Sequence, residues 1–304
     1  MPSLIATITQ FIVLHAVGSG VVDSIATADT PAAQQLALQR SRRADHQEPP
    51  PSVAKDWSVE TLDVGAPLHL LRDDHPSVML YLHGGAYVTG PNTQQWRMAA
   101  MLAQDAGVDL AVLSYGLAPE AQVDAAIAAT TASLDALAER YDTVTLFGDS
   151  AGGGLAVASM QAQRDRGGPL PALAVLFSPW VDAVLDAPEL AEAEQRDILL
   201  SIEGLRGCAR LFGGDLPLDD PRLSPLRAPL HGLPTVLIHV GTDELLLQDI
   251  RHFQAELQAA GVPSELHEHE GMQHDFFLFP CPESSRVMAS MAAKLRQAAA
   301  LSED

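Results

Sequence analysis

Apolar residues along this chain fall into short continuous runs, and the stretches between the runs have apolar positions at helical spacing. Continuous apolar runs, typical of strands buried on both faces, occupy residues 78–82, 110–115, 144–147, 172–177 and 235–240. Strands that alternate with helices in this way form a parallel sheet with helices on both faces. The pattern therefore predicts an α/β fold.

Three further segments complete the predicted sheet. Residues 58–64 and 67–71 are predicted as two shorter strands joined at Gly65-Ala66. Residues 264–269 are predicted as a short last strand, and a final helix follows at 282–300. With these additions we predict a mostly parallel, eight-stranded sheet flanked by helices.

The regular alternation is interrupted at two places. Residues 1–50 have the pattern of an Ala- and Gln-rich helical segment that ends at three consecutive prolines, a stiff boundary. Between 181 and 224 the alternation of strands and helices stops, and an acidic segment with a helical pattern takes its place. We therefore divide the chain into an N-terminal helical segment at 1–50, a core at 51–180 and 225–304, and an insertion at 181–224.

The N-terminal segment also bears on the cellular location of the protein. Residues 4–28 are largely apolar, but polar residues and glycines interrupt them, and no Lys or Arg occurs before Arg40. A secretion signal needs a basic start, and a membrane span needs a longer uninterrupted apolar run. We therefore expect an amphipathic helix between Leu4 and His15 and a cytoplasmic protein. The Ala-Thr-Ala sequence at 26–28 leaves a cleaved secretion signal as the alternative.

The charge balance excludes two classes of partner. The chain has 18 Lys and Arg against 39 Asp and Glu, a formal net charge of −21 at pH 7. Such a surface repels nucleic acid and anionic membranes. The two cysteines, Cys208 and Cys281, match no metal-binding or redox spacing. We expect no nucleic-acid partner, no stable membrane insertion, no metal and no organic cofactor.

The candidate chemistry centres on the sequence Gly-Asp-Ser-Ala-Gly at residues 148–152. It lies between a predicted strand and a helix rich in small residues, which is the context of a nucleophile elbow. In such an elbow the serine is held in strained backbone geometry. Glycines are needed on either side because other side chains would collide with the neighbouring strand and helix. Ser150 is therefore the candidate nucleophile.

A serine nucleophile needs a base, and the base needs an acid that orients it. In this topology the acid follows a late strand, and the histidine lies in the loop after the last strand. Asp243 follows the strand at 235–240, and His274 lies between the last strand and the last helix. We therefore predict Asp243 as the acid and His274 as the base. Glu244 and Asp249 follow on the predicted helix, where capping or pairing with neighbours would account for them.

Amide groups that stabilise an oxyanion must point at a single position. One of them is the amide of Ala151, next to the candidate nucleophile. The others are expected from Gly84, Gly85 and Ala86, in the loop after the third strand, where glycine lets the backbone approach a substrate carbonyl. A plain strand-to-helix turn would explain the glycines, but not their position opposite the elbow.

Five stretches of the sequence carry a family signature. They are His-Gly-Gly-Ala-Tyr at 83–87, Tyr-Gly-Leu-Ala-Pro-Glu at 115–120, Gly-Asp-Ser-Ala-Gly-Gly at 148–153, Ser-Pro-Leu at 224–226 and Gly-Thr-Asp-Glu-Leu at 241–245. Together they resemble the hormone-sensitive-lipase-like family of esterases. The resemblance implies an α/β-hydrolase fold whose helical cap is made from the N-terminal segment and the insertion. It also implies hydrolysis of short- to medium-chain carboxylic esters and a homodimer through the last strand.

Two positions depart from the family pattern. Ala86 stands where the family has a third glycine; its amide can still donate, and its methyl group narrows the pocket. Gly116 stands where the family has an arginine, so a structural ion pair is lost with no expected effect on the chemistry. By family position, Gly85 and Ala86 are the two loop residues expected to hold the oxyanion.

The residues leave the substrate open. A serine carboxylesterase acting on a small-molecule ester is the expected function. The alternatives are an arylformamidase or small amidase on the same fold, and a non-catalytic relative that binds a ligand. Tyr87, Trp180, Leu211 and Phe212 are candidate walls of the pocket, although ordinary packing would account for each of them equally well.

Overall fold

The computed structural model describes residues 31–300 together with the short pieces 2–3, 5–6, 24–25 and 28. Its eight strands form one sheet in the order β1-β2-β4-β3-β5-β6-β7-β8. In chain order the strands are β1 (Ser58–Asp63), β2 (Pro67–Arg72), β3 (Ser77–Leu82), β4 (Asp109–Leu113), β5 (Thr143–Asp149), β6 (Leu173–Phe177), β7 (Thr235–Gly241) and β8 (Ser264–His269). Only the β1–β2 and β2–β4 pairs are antiparallel. The predicted eight-stranded, mostly parallel sheet is confirmed.

Helices cover both faces of this sheet. The α-helices are α1 (Pro31–Ser41), α2 (Pro51–Ala54), α3 (Thr93–Ala106), α4 (Val123–Ala138), α5 (Ser150–Asp165), α6 (Leu190–Glu194), α7 (Ile202–Gly213), α8 (Leu247–Ala259) and α9 (Pro282–Ala300). Among the described residues, short 3₁₀ turns lie at Arg42–Ala44, Pro225–Arg227 and Phe276–Leu278. Helices α6 and α7 lie between β6 and β7, within the predicted insertion.

Strand β3 shows how the apolar runs build the core. All six of its residues are buried. Val78, Leu80 and Leu82 join the core on one face of the sheet, which includes residues of α4, α5 and α8. Met79 and Tyr81 join the core on the other face, with residues of α3 and α9. Because successive side chains of a strand point to opposite faces, a continuous apolar run is what a strand between two helical layers requires.

The parallel strands bring distant parts of the sequence to one edge of the sheet. The carboxyl ends of β3, β5, β6, β7 and β8 lie side by side, because these strands are parallel neighbours. The loops that follow them therefore meet at that edge, which is where open α/β sheets bind ligands. All the sequence-predicted site residues lie at these strand ends.

The predicted N-terminal helix between Leu4 and His15 lies outside the described residues, apart from Ile5 and Ala6. Within the part of the chain that the structure describes, no helix has the length and apolar character needed to cross a membrane.

Arg42, just after α1, ties the N-terminal segment to the core. Its Nε donates to the carbonyl of Val88, 2.7 Å away, and one terminal nitrogen donates to the carbonyl of Ala118. The guanidinium also pairs with both carboxylate oxygens of Glu120, at 3.1 and 3.0 Å, and holds the pKa of that carboxyl below its usual value. Gly116 leaves no room for a side chain, because a Cβ there would lie 2.5 Å from the Cβ of Ala121. Glu120 therefore pairs with Arg42, 78 residues earlier in the chain, and not with a residue at position 116.

We expect Arg42→Ala to lower the free energy of unfolding by roughly 1–3 kcal/mol, since the Val88 and Ala118 carbonyls would lose a charged donor. Urea unfolding measures this loss. Glu120→Gln is the matched control, because it weakens the ion pair but leaves both carbonyl contacts. The Glu120 side chain is 66% exposed, and exposed ion pairs contribute at most about 1 kcal/mol. A loss as large in the control as in Arg42→Ala would contradict the role of the carbonyl contacts.

Candidate active site

Ser150 lies at the first position of α5, directly after β5, in the turn predicted as a nucleophile elbow. Its φ of 51° is in the left-handed region, which non-glycine residues rarely adopt. A Cβ on Gly152 would lie 2.0 Å from the carbonyl oxygen of Leu82, and one on Gly148 would lie 2.6 Å from the carbonyl oxygen of Gly152. The predicted strain at the serine and the predicted need for both glycines are confirmed.

His274 lies in the loop between β8 and α9 and contacts Ser150. Its Nε2 is 2.9 Å from the Ser150 Oγ, and its Nδ1 is 3.2 Å from Oε1 of Glu244. All three residues are at most 6% exposed. A carboxylate, an imidazole and a hydroxyl in this order form a chain along which a proton can move from the serine to the histidine.

The carboxylate in this chain is not the predicted one. The prediction that Asp243 contacts the histidine is wrong, because the Glu244 side chain lies there. Helix α8 begins only at Leu247, so Glu244 is not on the helix that the sequence predicts but in the turn after β7. There its Oε2 accepts hydrogen bonds from the backbone N–H of Gly241 at 2.9 Å and from the Ser178 hydroxyl at 2.6 Å. This turn folds the longer side chain back to the sheet edge, where it is 1% exposed.

The loop after β3 has an unusual backbone. Gly85, Ala86 and Tyr87 have φ values of 126°, 50° and 64°, so three consecutive residues have positive φ. Gly85 has no room for a side chain, since a Cβ would lie 2.4 Å from Oγ1 of Thr89. Ala86 adopts the left-handed conformation in spite of its methyl group, at a cost of about 1–2 kcal/mol. Gly85 and Ala86 line a cavity together with Ser150 and His274.

One of the predicted oxyanion donors has another partner. The backbone N–H of Gly84 hydrogen-bonds the carboxyl group of Asp149. The prediction is therefore wrong for Gly84. Gly85 and Ala86, together with Ala151, remain as the candidate donors.

Asp149 holds this loop in place, a role that the sequence analysis missed. Its buried carboxyl accepts hydrogen bonds from the Tyr81 hydroxyl at 2.7 Å and from Nε2 of Gln95 at 3.2 Å, besides the Gly84 amide. Burial raises the pKa of Asp149, and these donors oppose the rise. Gln95 also caps α3, because its side chain accepts from the backbone N–H of Asn92. The residue between the glycine and the serine thus anchors the loop across the site.

The cavity at the site has a volume of about 290 Å³. Its apolar lining includes Leu199 and Leu200 of the insertion and Leu278 and Phe279 after the histidine.

Three of the four predicted wall residues form a packed aromatic group instead. The Tyr87 ring stacks on Phe212 and Trp180, with centroid distances of 4.0 and 5.4 Å. These three residues are buried, and they do not line this cavity. Leu211 is half-buried and packs against the same core.

The wall formed by the insertion is attached to the loops that carry the candidate acid and base. Oε1 of Gln273 accepts from the backbone N–H of Ile198, and its Nε2 donates to the carbonyl of Arg196, both at 3.0 Å. The buried carboxylate of Asp197 accepts from the backbone N–H groups of Leu199, Leu200 and Leu245, at 2.7–2.8 Å. The contacts of Gln273 with residues 196 and 198, and of Asp197 with Leu245, join residues 48 to 77 positions apart in sequence, so no local pattern predicts them.

Four carboxyl groups surround His274, those of Asp275, Glu244, Asp197 and Asp149. Burial lowers the pKa of the imidazole, but the carboxyls of Asp275, Glu244 and Asp197 outweigh that effect and raise the pKa to about 10. Asp275 is the nearest to the reactive nitrogen, with Oδ2 3.4 Å from Nε2. Burial raises the pKa of Asp275 well above its usual value, and the neighbouring carboxyl of Asp149 adds to the rise.

The described residues contain no group of three His, Cys, Asp or Glu side chains placed to hold a metal ion. Cys208 and Cys281 are buried thiols.

Comparison with known proteins agrees with this geometry. Residues 79–278 match a family described by the alpha/beta hydrolase fold. An acetyl-hydrolase of Streptomyces hygroscopicus is 37% identical over 225 residues, which cover 72% of this chain and 75% of the relative. The chain belongs to the α/β-hydrolase family. Among its relatives, an esterase of Acinetobacter venetianus is 31% identical over 221 residues, covering 71% of this chain and 73% of that protein.

Comparison with solved structures shows which group of α/β hydrolases this chain resembles. An esterase from the bacterial hormone-sensitive lipase family is 32% identical, with a TM-score of 0.74 over 92% of this chain and 97% of that one. The esterase EstE5, in a crystal soaked with p-nitrophenyl butyrate, is 27% identical, with a TM-score of 0.82 over 98% and 99% of the two chains. The predicted resemblance to the hormone-sensitive-lipase family is confirmed, and the protein is a carboxylic ester hydrolase.

The choice between the two neighbouring acids can be tested on this esterase. We expect Glu244→Gln to lower kcat for p-nitrophenyl butyrate by roughly 100- to 10,000-fold, because the imidazole would lose the carboxylate that fixes its tautomer. Asp243→Asn is the matched control and should change kcat by less than about threefold. The reverse order of effects would restore Asp243 as the partner of the histidine.

Proposed function

We propose that the enzyme hydrolyses short- to medium-chain carboxylic esters through an acyl-enzyme, with Ser150 as nucleophile, His274 as base and Glu244 as acid. The observation that carries the proposal is the hydrogen-bonded chain from the Ser150 Oγ through the imidazole to the Glu244 carboxylate, with distances of 2.9 and 3.2 Å.

In the first step Nε2 of His274 takes the hydroxyl proton while Oγ attacks the ester carbonyl. The backbone N–H groups of Gly85, Ala86 and Ala151 hold the oxyanion that forms. The imidazolium then gives its proton to the leaving alcohol. Glu244 keeps Nδ1 protonated throughout, so that Nε2 is free to act. A water molecule then attacks the acyl-enzyme in the same way, with His274 again as the base, and the carboxylic acid product is released.

The size of the cavity supports a small acyl group. Pockets for drug-sized ligands have volumes of about 300–1,000 Å³, and this one is at the lower end, at about 290 Å³. Its walls at Leu199, Leu200 and Phe279 are apolar, as an acyl chain requires. Among the relatives, one is named an acetyl-hydrolase, and the EstE5 crystal was soaked with a butyrate ester.

A series of p-nitrophenyl esters tests the proposal. We expect kcat/KM to be highest for acyl chains of about two to six carbons and to fall at least tenfold for chains of twelve or more, because the longer chains exceed the cavity. Ser150→Ala should lower the rate by several orders of magnitude for every ester. Retention of most of the rate in that variant would exclude Ser150 as the nucleophile.

The pH dependence follows from the carboxyls around the base. His274 must be neutral to accept the serine proton, and its pKa is raised from 6.5 to about 10. Protonation inactivates the base when the pH falls below its pKa. Because that pKa is raised, kcat/KM should decrease as the pH is lowered, with a midpoint above pH 6.5. Asp275→Asn removes the carboxyl that lies 3.4 Å from Nε2 and should move the midpoint down by roughly one pH unit or more. Asp105→Asn, at the far end of α3, is the control and should leave it in place.

A further inference from the structure

A second cavity adjoins the catalytic cavity. It has a volume of about 390 Å³, against about 290 Å³ for the cavity that contains Ser150 and His274. Gln94, Leu278 and Phe279 belong to the linings of both cavities. Residues that line two neighbouring cavities lie between them, so these three residues form a partition between the second cavity and the catalytic groups.

The second cavity follows one face of helix α3. Gln94, Met98, Met101 and Asp105 line it at intervals of three or four residues, which is the spacing of side chains on one helix face. Helix α9 contributes Met288 to the same lining. At 1.5 Å per residue, Gln94 and Met101 are roughly 10 Å apart along the helix axis. The cavity therefore extends from the partition along α3, away from the catalytic cavity.

The lining of the second cavity suits a hydrocarbon chain. Met101 is 56% exposed, and Leu278 and Phe279 are half-buried, so apolar side chains are in contact with water there. The charged residues of the lining are Arg97 and Asp105, whose opposite signs leave the cavity without a net charge. Each methylene group that is removed from water strengthens binding by a factor of about four. An alkyl chain that entered the cavity would gain this free energy and would cover the exposed apolar surface.

The side chain of Gln94 closes the partition. Its Nε2 donates a hydrogen bond to the carbonyl of Leu278, at 2.7 Å. The backbone of residues 276–279 is held separately from α9, where Oγ of Ser284 lies 2.8 and 2.7 Å from the carbonyl oxygens of Phe276 and Phe279. Gln94 is exposed, so water can replace its amide at the Leu278 carbonyl. Truncation of Gln94 would therefore open the partition while residues 276–279 stay in place.

We propose that Gln94 is a specificity-determining residue that sets the longest alkyl chain the enzyme accepts, because it separates the catalytic cavity from the second cavity. When the partition is open, the second cavity binds the end of an n-alkyl chain of the ester. This inference rests on the proposed function, since the preference for short and medium chains is the property that Gln94 determines.

Gln94→Ala tests the proposal with two series of esters, each kept below its critical micelle concentration. In the first series, kcat/KM for p-nitrophenyl decanoate is divided by that for p-nitrophenyl butyrate. In the second, octyl butyrate is compared with ethyl butyrate, so that the long chain is on the alcohol. We expect the ratio to rise at least about tenfold over that of the unmodified enzyme in one of the series, because several methylene groups become buried. The series that responds shows whether the second cavity takes the acyl chain or the alcohol chain.

Two further variants show where the longer chain binds. Ala289 is exposed on α9 and lines the second cavity, so Ala289→Trp fills that cavity with a bulky side chain. When it is combined with Gln94→Ala, the gain for long chains should be lost; Ala289→Phe is used in the same way in case the indole cannot be accommodated. Gln104→Ala is the matched control, because it makes the same substitution at an exposed residue near the other end of α3. It should leave both ratios unchanged.

The outcomes separate this inference from the proposed function. Unchanged ratios in both series for Gln94→Ala, or a gain that persists in both double variants, would overturn the inference while ester hydrolysis stands. Failure of the unmodified enzyme to hydrolyse any of the four esters, together with no labelling of Ser150 by a fluorophosphonate, would overturn the proposed function itself.

Discussion

The close contact between the nucleophile elbow and the loop after β3 is the constraint on which the site depends. Gly152 lies against the carbonyl of Leu82, and Gly84 lies so close to Asp149 that neither position has room for a Cβ. The Asp149 carboxyl then binds the Gly84 amide from the elbow side. Two strained segments therefore support each other, since each is held in its unfavourable backbone geometry by the other. Serine and amide donors face one cavity because of this contact.

Much of the fold could be predicted because it follows from local pattern. Continuous apolar runs specify strands covered on both faces, and glycine spacing specifies the elbow. Each of these signals is contained within a few consecutive residues. The same holds for His274, whose place in the chain follows from the order of the strands. The acid could not be decided in this way. Asp243 and Glu244 are adjacent, and only the turn after β7, which delays the helix to Leu247, determines which carboxylate faces the imidazole.

Contacts between residues far apart in sequence account for the rest of what the sequence did not reveal. Nothing in the sequence around Asp149, Asp197 and Gln273 indicates their contacts, yet each hydrogen-bonds a residue at least 48 positions away in the chain. For the aromatic residues, the sequence indicates a place in the pocket that the folded structure does not give them. Tyr87 and Phe212 have the size and character of pocket walls, but the stacking of their rings places them in the core. Side-chain type alone does not distinguish lining from packing.

The hydrogen bonds of Gln273 and Asp197 have a mechanical consequence. Because they attach residues 196–200 to the segments that hold Glu244 and His274, the part of the cavity wall formed by Leu199 and Leu200 is tied to the catalytic groups. A movement of this wall that admitted a bulkier substrate would also displace the imidazole from the serine. Substrate size and catalytic alignment are thus coupled, and evolution of a wider pocket would have to begin by breaking these contacts.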